Sequence, residues 1–498
     1  MTADPSLPLP LNPDVCERAL NARDPRFDGI FFVGITTTRI YCRPICPARV
    51  SYHDRRRFFE SAASAERAGF RPCLRCRPEL APGRAVCDAV PRLARVATHR
   101  IAAGALNGRG VSQLARELGV SDRHLRRVLE RELGVSPVEL AQTHRLLFAK
   151  RLLADTSLPV TRIAYASGFQ SLRRFNSVFR DRYRLSPSAL RRAPRLSSGA
   201  GSAAVRAGDL VKLTLAYRAP LAWDTMIALL GRDVLPGVEL VEGRRYARTV
   251  RLDGKSGVIL AVDSLKPKTQ LEVDVSSTLL PVLMPLLARL RHLFDLDAEP
   301  TVVDLHLERA GLGGYVGRRP GLRVPGVLDG VEAVLRVVLG DRTGRAASAA
   351  LPRVVEALGQ PFLTGISGLV RLAPDASRLA EAGVDRLAQL GVSRRKAELL
   401  VSLAQALTTG TVCLEPGSDV GLAHRALLTV AGVSERLATR IVMHALRWPD
   451  AFDASDRAIQ RAAGAAGSAE LMTLAERWRP WRGYARLHLS LGLSPDGG

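Results

Sequence analysis

The sequence predicts a multidomain chain with four folded parts in order: a small α/β metal-binding domain, an all-α pair of repeated helical units, an α+β sheet domain and an all-α C-terminal domain. Three observations carry this expectation. Four of the seven cysteines fall in two close pairs, Cys42-x3-Cys46 and Cys73-x2-Cys76, with 26 residues between the pairs. A helical segment repeats at a constant offset of 50 residues. Beyond a stretch of small residues the apolar spacing changes from helical to a period of two, and then back to helical.

Length and composition set the outer limits. A chain of 498 residues has the volume for about three or four cores. At 47% hydrophobic and 24% charged it is neither collagenous nor disordered. Its longest apolar stretch, near Leu279 to Leu290, is too short to cross a bilayer and contains proline, so no membrane partner is expected. Met1 to Pro13 carries no basic stretch followed by an apolar one, which makes the cytoplasm, in association with the nucleoid, the expected compartment and disulfides unexpected. The net charge is +24, and residues 1–200 hold 35 basic and 17 acidic side chains, against 37 and 31 in the rest. A polyanion-binding surface is therefore expected mostly in the first two-fifths.

Two short-spaced cysteine pairs let two tight turns present four thiolates to one tetrahedral ion, and zinc is the cation this donor set suits. Cys42, Cys46, Cys73 and Cys76 are the expected ligands; Cys16, Cys87 and Cys413 are isolated. The run Thr36-Thr-Thr-Arg-Ile-Tyr41-Cys42-Arg-Pro-Ile-Cys46, with Gly69-Phe-Arg-Pro-Cys73-Leu-Arg-Cys76, resembles the methylphosphotriester-repair domain of adaptive-response (Ada) proteins over residues 12–80. The resemblance implies that Cys42 is both a zinc ligand and the nucleophile that takes a methyl group from damaged DNA. It also implies DNA contacts at Thr38, Arg43, Arg49 and Arg71, while Pro47 stands where that family carries a basic residue.

From Val111 to Arg192 the spacing is helical. Leu114-Ala-Arg-Glu-Leu118-Gly119-Val-Ser121 reads as a helix, a glycine turn and a capped second helix, and Gly168 and Ser171 repeat the pattern. The two copies, joined by a helix from Pro137 to Leu153, resemble the DNA-binding domain of AraC-type transcription regulators. Arg123, His124, Arg126 and Arg127, with Arg173, Arg174 and Asn176, are then expected to face successive major grooves of double-stranded DNA, although about half of such arginines only form a solvated face.

Residues 193–209 have linker chemistry. Val211, Leu213 and Leu215, then Leu271, Val273 and Val275, alternate as strands do, and Tyr246 to Val262 reads as two strands around Asp253-Gly254-Lys255. A helix is expected from Leu279 to Leu293, and from Val327 onward the chain reads as helix after helix. Leu428-Thr-Val-Ala-Gly432-Val-Ser434 opens one of them, and Asp450-Ala-Phe-Asp-Ala-Ser-Asp456 follows its far end.

That order, with Gly321-Leu-Arg-Val-Pro-Gly326 and Ala475-Glu-Arg-Trp-Arg-Pro-Trp481-Arg-Gly-Tyr484, resembles the helix-hairpin-helix DNA glycosylases, and residues 210–498 resemble 3-methyladenine DNA glycosylase II. The resemblance implies a flipped base held on aromatic faces, Trp481 among them, with Asp456 as the catalytic carboxylate and Gly432 and Ser434 at the DNA backbone. Either Asp456 or the weaker candidate Asp453 could instead be a plain helix N-cap. Departures are Ser434 for a glycine, Arg436 and Arg440 for aromatic residues, Asp341-Arg342 for a polar pair and Val324 for a leucine wedge. No lysine follows Lys396, so a Schiff-base lyase step using a lysine from this hairpin is excluded and any glycosylase is expected to be monofunctional.

The expected domains are 1–85 (zinc methyl acceptor), 86–192 (double helix-turn-helix), 193–209 (linker), 210–307 (α+β) and 308–498 (helix-hairpin-helix glycosylase). The expected function is an adaptive-response protein with one bound zinc. It would accept methyl groups from methylphosphotriesters, thereby become a transcription activator acting on promoter DNA with RNA polymerase, and excise alkylated purines of the 3-methyladenine class. The alternative is a methylation-switched regulator whose C-terminal half binds DNA without catalysis. No Pro-Cys-His-Arg motif is present, so direct reversal of O6-methylguanine is not expected.

Overall fold

The computed structural model describes residues 12–48, 53–82, 92–192, 210–264, 269–340 and 350–493. Arg49, Cys87, the 193–209 segment and Asp341-Arg342 lie outside the described residues. Two compact units are formed, one of Met1–Arg218 with Glu272–Ala288, the other of Ala219–Leu271 with Arg289–Gly498.

In the first unit, Asn12 caps the helix Pro13–Asn21 by accepting from the N–H groups of Asp14 and Val15. A four-stranded sheet follows, in the order Arg56–Phe59, Phe32–Ile35, Ile40–Cys42, Arg71–Pro72. The first two pairings are antiparallel and the last, between Ile40–Cys42 and Arg71–Pro72, is parallel. Its aromatic side chains pack edge to face, Phe32 on Tyr41 and Phe59 on Phe70.

The repeated unit is fully helical. Val111–Glu117 and Asp122–Leu133 are joined at Gly119, whose φ of 69° is open to glycine without strain, and Ser121 caps the second helix. Val160–Ala166 and Leu172–Tyr183 repeat this around Gly168 and Ser171. The buried faces match at the same offset: Leu125, Leu129 and Leu133 in one copy, Phe175, Phe179 and Tyr183 in the other.

Between the copies runs Pro137–Asp155, started by a Ser136/Glu139 capping box. Buried side chains fall on every face of this helix, with Val138 and Glu139 at its start exposed, and two of the buried ones, Thr143 and Lys150, meet carboxylates of the sheet domain. Thr143 donates to Glu66 at 3.0 Å and Lys150 pairs with Glu79 at 2.5 Å. Strands Leu210–Ala216 and Gln270–Ser276 lie side by side, as the alternation predicted.

In the second unit, Glu239–Glu242, Arg245–Leu252 and Lys255–Asp263 run antiparallel, with Asp253 and Gly254 both at positive φ in the two-residue turn. The Glu239–Glu242 strand was not anticipated. The expected helix near Leu279 begins in the first unit as a 3-10 turn, Ser277–Val282, leading into Leu283–Leu293, whose last residues from Arg289 on belong to the second. Beyond it, helices Gly330–Leu339, Ala376–Gln389, Arg394–Thr408, Val420–Leu428 and Glu435–Ala445 enclose one aliphatic core. Pro300–Leu307, Ser468–Ala475 and Arg482–Gly492 enclose a second core that holds Phe452, Trp478, Trp481 and Tyr484.

One departure from an all-helical C-terminal part is the pair of two-residue strands Gln360–Pro361 and Arg371–Leu372. The cause lies outside the segment itself. The carbonyl of Gly237 accepts from the N–H groups of Val370 and Arg371, and the Thr249 hydroxyl donates to the Arg371 carbonyl at 2.7 Å, so extended backbone is held where helix would leave those groups unpaired.

Candidate metal centre and carboxylate site

Cys42 ends the strand Ile40–Cys42, and Cys73 directly follows Arg71–Pro72, so the parallel pairing of these strands sets one cysteine of each pair side by side. The Cys73 N–H donates to the Tyr41 carbonyl at 2.9 Å, and the tight turn from Arg43 brings Cys46 back beside them. All four sulfurs lie within 4.8 Å of one another and all four residues are buried. A tetrahedron with zinc–sulfur bonds of about 2.3 Å needs sulfurs about 3.8 Å apart, so the donor set fits one zinc ion. Backbone N–H groups of Arg43 and Arg75 donate to the sulfurs of Cys76 and Cys73, at 3.3 and 3.4 Å, which stabilises the thiolate form of a metal ligand. Cys16 stands apart against Ala19 and Phe31, and burial pushes its thiol up to about 12, which leaves it inert.

Around the cluster, Thr38 is exposed in the turn before Ile40 and Arg71 is half-buried. Arg43 is engaged within the protein: its guanidinium holds the Asp28 carboxylate, with Nε at 2.7 Å, and donates to the Cys76 carbonyl at 3.1 Å. It braces the second cysteine loop in this conformation. In the helical repeats, Arg123, Arg126, Arg127, Arg173 and Arg174 are exposed, and His124 and Asn176 are half-buried. Arg126 reaches back to Asp122 at 2.5 Å, and Arg127 meets the His124 ring at 3.3 Å.

The second site lies on the hairpin of the C-terminal unit. Val420–Leu428 and Glu435–Ala445 are joined through Gly432, at φ 82°, and Ser434, whose hydroxyl caps the second helix by accepting from Leu437. Both turn residues are exposed. The loop after this helix carries Asp453 and Asp456, whose side chains are 8% exposed. Asp453 accepts from the Ser455 N–H and hydroxyl and from Arg436 Nε at 3.1 Å. Desolvation raises its pKa, but the Ser455 bonds and the Arg436 charge outweigh this and hold it below the usual carboxylate range.

Asp456 caps Arg457–Ala462 through the Ala458 N–H at 3.1 Å, and its other oxygen accepts from Arg486 at 3.3 Å. The N-cap role is therefore real, and it leaves the carboxylate fixed beside two arginine-bearing helices. Trp481 is buried at 4% exposure and meets Tyr484 edge to face at 5.6 Å. The sequence reading missed Arg486 as a partner of Asp456, and Glu66, Glu79 and Lys150 in the first unit. No local spacing marks them, because each acts across 30 or more residues.

Residues 15–79 match the family model of the metal binding domain of Ada, residues 114–193 a helix-turn-helix domain, and residues 212–329 the AlkA N-terminal domain. A "DNA-3-methyladenine glycosylase 2" of Escherichia coli (strain K12) is 32% identical over 285 residues, covering 57% of this chain and 99% of that protein. The "Bifunctional transcriptional activator/DNA repair enzyme Ada" of the same organism is 32% identical over 146 residues, 29% of this chain and 40% of that one. A "Probable bifunctional transcriptional activator/DNA repair enzyme AlkA" of Mycobacterium tuberculosis (strain CDC 1551 / Oshkosh) is 36% identical over 485 residues, 95% of both chains. The chain belongs to that AlkA family of bifunctional transcriptional activator/DNA repair proteins.

Proposed function

We propose that this chain senses and repairs alkylated DNA through two separate sites. Residues 1–85 are the methyl acceptor, 86–192 the DNA-reading pair of helix-turn-helix units, 193–209 a linker, and 210–307 with 308–498 the glycosylase. The observation that carries the reading is the cluster of four sulfurs at the end of the parallel strand pair.

Zinc bound there holds the thiols deprotonated at neutral pH while leaving them nucleophilic. The Cys42 Sγ attacks the methyl carbon of a methylphosphotriester; the carbon–oxygen bond breaks, its electron pair stays on the phosphate oxygen, and S-methylcysteine remains. With zinc bound, the four thiolates and the dication together would carry −2, and methylation of Cys42 would leave −1 and so weaken repulsion of the phosphate backbone. The charge-relieved protein then holds promoter DNA through Thr38, Arg49 and Arg71, together with Arg43 once it releases Asp28. Arg123, His124, Arg126, Arg127, Arg173, Arg174 and Asn176 enter grooves about 34 Å apart. RNA polymerase is the partner such a nucleoid-bound activator recruits.

In the C-terminal unit, Gly432 and Ser434 approach the DNA backbone and Trp481 borders the flipped base. Asp456, fixed by Ala458 and Arg486, stabilises the cationic sugar while water replaces an alkylated purine of the 3-methyladenine class. The test has two arms on the full chain. Methylphosphotriester DNA should add one methyl, about 14 Da, to Cys42 alone. Asp456→Asn should reduce release of 3-methyladenine to background; background release by both proteins would leave the half as a DNA-binding module without catalysis, and equal release above background would remove Asp456 from the catalytic role.

A further inference from the structure

The two carboxylates of the hairpin site are faced by three arginines. Arg436 and Arg440 sit one turn apart on Glu435–Ala445, and Arg486 comes from Arg482–Gly492. Arg436 is spent on Asp453 and Arg486 on Asp456. Arg440 is half-buried among them, and its Nε is buried without a hydrogen-bond partner among the described residues. Three guanidinium groups against two carboxylates leave one cationic donor over, next to the site. Burial, then the neighbouring Arg436, holds the Arg440 guanidinium below its ordinary range, against the pull of Asp453, which sharpens it as a donor.

Charge decides what such a donor can do. Cleavage of C1′–N9 sends the bond's electron pair to the base. A cationic N-alkylpurine therefore departs as a neutral molecule, so a fixed cation beside it opposes binding, and departure only relieves that repulsion without a stabilising contact in its place. A neutral purine departs as an anion, and a cation beside it stabilises the transition state more than the ground state. Water supplies the oxygen that bonds to C1′, gives one proton to Asp456, and the departed base takes up one proton; the products are an abasic sugar and a neutral base. The guanidinium keeps its protons throughout. Its fork also matches the O6/N7 acceptor edge of a carbonyl-bearing purine.

Resting on the reading of Asp456 as the sugar-facing carboxylate, we propose that Arg440 is a specificity-determining residue that tunes this site towards neutral, carbonyl-bearing purines and away from cationic ones. The test measures single-turnover base release by the full chain from duplexes carrying one hypoxanthine or one 7-methylguanine. Arg440→Leu should lower the ratio of hypoxanthine to 7-methylguanine release at least tenfold, with 7-methylguanine release rising, and Arg440→Lys should fall between. A merely structural arginine would lower both rates together and leave the ratio where it was. An unchanged ratio in both variants, or a wild-type protein that releases 7-methylguanine and no hypoxanthine, overturns the proposal. Equal 7-methylguanine release by wild type and Asp456→Asn overturns instead the reading on which it rests.

Discussion

Glu66 lies at the meeting of the metal domain and the helical repeats, and replacing it with glutamine gives a prediction with a definite sign. The side chain is buried and accepts from the Tyr41 hydroxyl at 3.1 Å and the Thr143 hydroxyl at 3.0 Å, with Arg182 at 3.5 Å. Burial pushes its carboxyl from 4.5 up to about 7, outweighing the pull of Arg182 and of the two hydroxyls. A folded-state value above the unfolded one contributes stability that is full below about pH 4.5 and lost as the pH rises through 7. At 1.36 kcal/mol per pH unit, that loss is about 3 kcal/mol.

Glutamine keeps a carbonyl for the two hydroxyls and carries no charge to desolvate. Glu66→Gln should therefore melt close to wild type at pH 4.5 and about 5–10 °C above it at pH 8. Zinc release into a chelating dye during a thermal ramp of the full chain reports the unfolding of this unit selectively. A variant that melts below wild type at pH 8, or by the same margin at both pH values, would show that Arg182 rather than burial governs Glu66.

Elsewhere, Cys46→Ser should abolish stoichiometric zinc in elemental analysis and make the first 82 residues protease-sensitive, since structural zinc contributes folding energy directly. Arg248 is 1% exposed and serves both Glu239 and Glu332, with Arg336 the one other cation paired with either among the described residues. Arg248→Met should cost about 3–5 kcal/mol in denaturant unfolding of the second unit, and a loss below about 1 kcal/mol would mean that the two glutamates find other partners. Arg174 is exposed and Phe175, next to it, is wholly buried. Arg174→Ala should weaken DNA binding and lower its salt slope by about one without a change in melting, whereas Phe175→Ala should cost about 3–5 kcal/mol of stability.

Features coded by short spacing were legible in the sequence. The cysteine pairs, the glycine turns with their serine caps at Gly119–Ser121 and Gly168–Ser171, and the Asp253-Gly254 hairpin each depend on a few consecutive residues, so chain connectivity alone confines them. The repeat was legible because the same buried positions recur 50 residues on. Only packing decided the rest. Arg43, expected at DNA, is drawn inward by Asp28, 15 residues upstream; Glu66 finds Thr143 77 residues away; and Arg486 arrives at Asp456 from another helix. Each is a charged or polar side chain that burial forces to find a partner, and which partner lies within reach is fixed by how helices and strands stack, a relation the linear order of residues does not carry.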